Sequence, residues 1–150
     1  MDLDEFAQVR AAAIRFRAAM VCARGAGLFA DDCLGLKTFP HGACGNACEL
    51  LGEYLTSLGL GEWEIVTGQR HPQTHAWLER DEVIVDITAD QFPDFPHGGE
   101  CAWRATDDHS WHAHSFVEDR RERACLPERG DHFRGALREV YPQVCELIRE

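Results

Sequence analysis

The sequence lacks any apolar run near the roughly 18 residues needed to cross a bilayer, which excludes a helical membrane span. It lacks a basic surplus too: Lys plus Arg is 15 against 26 for Asp plus Glu, a formal net charge of -11. Phosphate contacts need clustered Lys and Arg, so a nucleic-acid-binding surface is excluded. If the charge steers a partner, that partner is basic. The start, Met1-Asp2-Leu3-Asp4-Glu5, lacks the basic n-region and apolar h-region of a secretory signal, from which we expect a cytoplasmic chain with reduced thiols. No tight C-x2-C pair occurs among the seven cysteines. The closest pair, Cys44 and Cys48, has no second pair to complete it, so a structural zinc site has little support. There is no internal repeat and no low-complexity segment.

What is present is ordinary for a folded domain. Hydrophobic residues make up 45% of 150, enough to bury a core without disulfide staples in one domain covering 1–150. Residues 3 to 22 read as an amphipathic helix, with Phe6, Val9, Ala13, Phe16 and Met20 on one stripe and Arg10, Arg15 and Arg17 off it. Asp4 suits its N-cap, and Gly25 with Gly27 its stop. Residues 28 to 43 look irregular. Residues 43 to 58 make a second helix, with Cys44, Ala47, Cys48, Leu51, Leu55 and Leu58 on its apolar stripe. Three β-like runs follow: 63–67, 74–79 and 83–88. Residues 89 to 115, rich in Pro, Gly, His and Asp, read as a long functional loop. A closing helix runs from Asp131, and Pro142 should kink or split it. The fold class is therefore α+β: N-terminal helices packed on a small antiparallel sheet, then a C-terminal helix.

The chemistry sits in the middle third. Cys44 falls in the first turn of the second helix, just after the breaker Phe39-Pro40-His41-Gly42-Ala43. A helix N-terminus offers unpaired N–H groups and the positive end of the dipole, and both favour a thiolate. Those N–H groups could also hold the oxyanion of acyl transfer. Taken alone, Cys44 reads rather as a small buried residue of the stripe. The runs 74–79 and 83–88 alternate and read as a hairpin turning around Arg80-Asp81. That register sets Glu79 against Glu82, Trp77 against Ile84 and His75 against Asp86. Directly opposed side chains share a face with Cβ atoms about 4.5–5.5 Å apart, so a carboxylate could hold the imidazole. A cysteine, a histidine and an orienting aspartate form a nucleophile, base and orienter set. Cys48 is a rival nucleophile, one turn deeper, where the N–H groups are already paired.

These residues also carry a resemblance. Phe39-Pro40-x-Gly42-x-Cys44, then Leu51, Leu55 and Leu58-Gly59, then Thr74-His75-Ala76-Trp77-Leu78-Glu79 and Val85-Asp86-Ile87-Thr88 resemble the transglutaminase-like cysteine protease superfamily. That group is similar in core to papain, and the resemblance covers about residues 39 to 92. It implies a helix-borne Cys44 nucleophile, a His75 base and an Asp86 orienter. It implies a cysteine-dependent amide hydrolase or acyltransferase: a thiol peptidase, a glutamine deamidase or a transglutaminase. Each works through a thioester and needs no cofactor. A peptide or protein is the expected substrate, with Trp77 and Gln73 the candidate substrate-binding residues. The papain C-x2-C spacing is not met, and the Arg-Gly-Gly-x-Cys signature of arylamine acetyltransferases is absent. Thr38, His41 and Gln73 remain open as oxyanion donors.

Two alternatives stand beside this reading. One is a non-catalytic effector or binding module that keeps the fold. The other is a metal-binding protein using Cys101, Asp107, Asp108, His109, His112 and His114, with His112 and His114 alternating onto one strand face. Arg120, Arg121 and Arg123, interleaved with Glu118, Asp119 and Glu122, read as a solvated helix face.

Overall fold

The computed structural model describes residues 1–29, 35–96, 105–126 and 135–148. The chain is α+β. Helix α1 spans Leu3–Gly25, α2 Cys44–Ser57, α3 Ser110–Ser115 and α4 Gly135–Glu146. Strands β1 (Glu64–Arg70), β2 (Gln73–Arg80), β3 (Val83–Val85), β4 (Ala105–Thr106) and β5 (Val117–Arg123) form one antiparallel sheet in the order β4-β3-β2-β1-β5. Single 3-10 turns lie at Leu36–Thr38 and Ala89–Gln91.

The stripe on α1 behaves as its spacing requires: Val9, Ala13, Phe16 and Met20 are fully buried. Its N-cap is Asp2, not Asp4; the Asp2 carboxylate accepts from the backbone N–H of Glu5 at 2.8 Å. On α2, Ala47, Cys48, Leu51 and Leu55 are buried, whereas Leu58, expected on the same stripe, lies just past the helix and is exposed. Pro142 does not split α4, which runs through it to Glu146. Residues 131–134, where a helix start was expected, lie outside the described residues.

The sheet has two unlike faces, because side chains alternate along each strand and opposed residues share a face. Ile65, Ala76, Leu78, Val83 and Val85 point toward α1, α2 and α4 and join the main core. Val66, Trp77 and Ile84 join a second cluster with Phe92 and Phe116, against which Trp111 packs. Gly68, opposite His75 on β1, makes room there: a Cβ would stand 2.7 Å from Phe116 Cβ and 3.0 Å from the Trp77 ring.

Four local expectations are corrected. The β2–β3 turn is Asp81-Glu82, both with positive φ (50° and 65°), as a tight two-residue hairpin requires. The register is therefore two residues off the expected one: Glu79 faces Ile84 and Arg80 faces Val83. The third run stops at Val85, so Asp86, Ile87 and Thr88 lie beyond the strand. Residues 117–123 are strand β5, not a helix face. It is exposed at all its positions, and its alternating charges suit a sheet edge that must not recruit another strand. The 89–115 stretch is more than a loop, since β4, α3 and a 3-10 turn fall within it. No described helix is long and apolar enough to cross a membrane.

Candidate active site

Cys44 is the first residue of α2 and half-buried. Ala43, its N-cap, has no side chain able to cap, so it makes no side-chain bond to the first-turn N–H groups. Chain reversal just before it uses Gly42 at φ 69°, a left-handed conformation that favours glycine. The 3-10 turn before that is closed by Thr38, whose hydroxyl sits against the carbonyls of Gly35 (2.9 Å) and His41 (2.7 Å). Thr38 is thereby committed and drops out as an oxyanion donor.

His75 and Asp86 meet despite the shifted register. A slip of two residues preserves the face, since the side-chain period is two. His75 Nε2 stands 2.6 Å from Asp86 Oδ2, and both residues are almost wholly buried, at 1% and 3% exposure. Asp86 Oδ1 accepts from the Thr88 backbone N–H at 3.0 Å. The segment after Asp86 is pinned to α1 by Arg17. Its guanidinium makes two 2.8 Å bonds to Asp90 and donates to the Ile87 carbonyl at 2.5 Å. In the sequence Arg17 was only a residue off the stripe.

The electrostatics follow from burial and from these pairs. Burial alone pushes the His75 pKa down, but the Asp86 charge and its hydrogen bond override this and raise it to about 9. Burial likewise opposes ionisation of Asp86. The His75 charge and the bonds from His112 and His75 nevertheless hold it well below the usual carboxylate range. For Cys44, burial raises the pKa, yet the His75 ring and the backbone N–H of Ala76 outweigh it and leave the thiol below its ordinary value. Cys48, one turn deeper, has only burial and like charge around it, and its thiol is pushed well up. As a rival nucleophile Cys48 is thus disfavoured. The remaining His75 nitrogen, Nδ1, is buried and makes no hydrogen bond of ordinary geometry. The Cys44 thiol is lowered by its contact with this ring first and by the ring's charge second.

The sequence reading missed His112 as part of this group. Its Nε2 lies 2.8 Å from the same Asp86 Oδ2 that meets His75. It sits on the short helix α3, so His112 and His114 do not alternate along a strand, and His114 is exposed. The rest of that cluster disperses. His109 contacts the Glu82 carbonyl, and Asp108 accepts from Ser110 at the start of α3. Cys101 lies outside the described residues.

Trp77 is buried. Its Nε1 donates to Glu79 at 2.9 Å and its ring centroid lies 4.8 Å from that of His112. Gln73 is exposed at the start of β2, opposite Arg70. Around His75 stand the rings of Phe92 (4.8 Å), Phe116 (5.3 Å) and Trp111 (6.4 Å). Arg70 lies over Phe92 and Phe116 and pairs with Asp94. A cleft of about 570 Å³ borders Asp86 and His112 and is lined further by Arg10, Phe95, Asp108 and Trp111; Cys44 and His75 are not in its wall.

His75, Asp86 and His112 also present donor atoms within 4.8 Å of one another, the composition of a small metal site. Their spacing fits shared protons better. At metal–ligand lengths of about 2.0–2.2 Å, two ligands of one tetrahedral ion stand roughly 3.3 Å apart. Here the nitrogen–oxygen separations are 2.6 and 2.8 Å. No family model matches this chain, and the searches of curated proteins and solved structures found no match.

Proposed function

We propose that this protein is a cysteine-dependent amide hydrolase or acyltransferase with a transglutaminase-like, papain-like core. Cys44 is the nucleophile, His75 the base and Asp86 the orienter. One observation carries the reading: a buried imidazole–carboxylate pair at 2.6 Å beside a cysteine that opens a helix. The Cys44 thiolate adds to an amide carbonyl, and the oxyanion takes hydrogen bonds from backbone N–H groups at the start of α2. His75, as imidazolium, then gives its proton to the leaving nitrogen as the C–N bond breaks, leaving a thioester. Water or an amine attacks next, His75 takes the incoming proton, and the C–S bond breaks to restore the thiolate. Asp86 stays ionised throughout and fixes the ring through Nε2. The acceptor, water or amine, separates peptidase and deamidase from transglutaminase. A peptide or protein substrate, steered by the acidic surface if it is basic, completes the proposal.

The deciding experiment follows alkylation of the folded protein by iodoacetamide, residue by residue, across roughly pH 5 to 8. Cys44 should react faster than a free thiol throughout and should be captured by an amide-mimicking electrophile. An ordinary rate at Cys44 overturns the proposal and leaves the binding-module reading. The proximity of His75, Asp86 and His112 favours a metal-binding reading in second place. That reading requires stoichiometric metal in the purified protein and its loss in His112→Ala.

A further inference from the structure

We infer that His112 is a positioning residue of this site: through Nε2 it holds the Asp86 carboxylate in the orientation that His75 requires. The inference rests on the reading of Cys44, His75 and Asp86 just given.

Asp86 is gripped at both oxygens. Oδ1 takes the Thr88 N–H at 3.0 Å, while Oδ2 is shared between His75 at 2.6 Å and His112 at 2.8 Å. Asp86 lies past the end of β3, where no strand ladder fixes its backbone. The carboxylate plane therefore depends on its side-chain partners. Without His112, only the bond to the catalytic ring would restrain Oδ2, and that ring is the group to be oriented.

His112 is poorly explained as filler. It is the one buried residue of α3, at 4% exposure, and its Nδ1 is buried without a hydrogen-bond partner. An orphaned buried polar atom carries a desolvation cost, which a leucine or phenylalanine would avoid. The only hydrogen bond described for its side chain is the one to Asp86, which requires the proton on Nε2. Its helix is anchored at the N-terminal end. Asp108 accepts from Ser110 N (3.0 Å) and Ser110 Oγ (2.6 Å), and His109 reaches the carbonyl of Glu82 at the β2–β3 turn. The Trp77 ring packs on His112 at 4.8 Å and the Trp111 ring at 4.9 Å.

The titratable groups acting on Asp86 come from three elements: His75 on β2, His112 on α3, and Cys44 and Cys48 on α2. Arg10, Asp107 and Asp108 border the same cleft at greater exposure. Removing the His112 donor weakens ionisation of Asp86 and frees its carboxylate to turn. The His75 imidazolium then loses its anchor, and the Cys44 thiolate loses its counter-ion. The acid limb of the Cys44 alkylation profile must move to higher pH.

The test compares the wild-type chain with His112→Leu, His112→Gln and His112→Asn, each checked by a urea melt. His112→Leu should move the acid limb up by about one pH unit, a roughly tenfold slower reaction on that limb. His112→Gln, whose amide can reach Asp86, should recover most of the rate. Asn is too short to do so and should behave like Leu. A purely structural role would lower the urea midpoint and leave the limb in place, and that outcome overturns the inference. Should the Leu variant fail to fold, the Gln and Asn pair decides: separate limbs uphold the inference, coincident limbs overturn it. A wild-type Cys44 no faster than a free thiol is a different result and sinks the catalytic reading itself.

Discussion

The two faces of the sheet are built from different materials. One carries the aliphatic side chains of Ile65, Ala76, Leu78, Val83 and Val85 into the main core shared with three helices, where Phe16, Phe39 and Trp63 are buried too. The other carries Trp77 and Ile84 into an aromatic cluster and buries His75 and Asp86 beside it. Apolar packing is non-directional and rewards volume, so that face supplies stability. Buried polar groups demand partners at fixed geometry, so the aromatic face supplies orientation at a desolvation cost. Cys44 stands at the end of a helix that packs on the first face, within electrostatic reach of groups on the second. The difference implies that substitutions on the aliphatic face alter how firmly the chain folds, whereas those on the aromatic face alter what Cys44 can do.

The largest expected effect tests that division directly. Cys44→Ala should abolish covalent capture by an amide-mimicking electrophile, while Cys48→Ser, one turn away, should retain capture; intact-mass spectrometry reads both. Asp86→Asn comes next. It leaves an imidazole buried without its counter-charge, a loss of about 3–5 kcal/mol when one partner of a buried pair is removed. Urea denaturation measures it, and the alkylation limb should rise as well. Leu78→Ala on the opposite face should cost about 2–5 kcal/mol as a cavity, yet leave the alkylation profile unmoved. A shifted profile there would break the division between faces.

The pH dependence sharpens the contrast further. His75 has its folded pKa raised from 6.5 to about 9, so its contribution is complete below about 6.5 and is lost as pH rises through about 9. Asp86 has its folded pKa depressed, so its contribution is present above the ordinary 3.8 and is lost as pH falls through the lower folded value. The pair is thus worth most between about pH 4 and 6.5, and urea stability should decline from pH 6.5 to 9. Cys44→Ala removes the opposing contribution of the depressed thiol and should make the alkaline decline plainer. His75→Gln should flatten it. The smallest effect belongs to Asp2→Ala, which removes the α1 cap and should cost about 1 kcal/mol with no change at Cys44.

Much of the architecture was legible because periodicity reports which face is buried. Val9, Phe16 and Met20 on α1, and Leu51 and Leu55 on α2, sit where their spacing requires. The hairpin was legible in parity but not in register. Arg80-Asp81 and Asp81-Glu82 are both poor turn sequences, and only the backbone decided between them. Strand β5 was misread because Glu118 to Arg123 are all exposed, and an exposed charged strand has no hydrophobic period to reveal it. His112 was missed for a different reason. It lies 26 residues beyond Asp86 in sequence, and one histidine among several in a polar stretch carries no signal of its partner. Arg17 is similar: its bond to Asp90 bridges 73 positions.

The sequence alone determined the α+β class, the helix that begins at Cys44 and the shared face of His75 and Asp86, because each follows from local spacing and backbone sterics. Tertiary structure decided that Asp86 would be gripped by two imidazoles, that Trp77 would be walled in with the aromatic cluster, and that Cys44 and Cys48 would titrate in opposite directions. Those outcomes depend on which distant groups share a desolvated volume, and no local pattern encodes that.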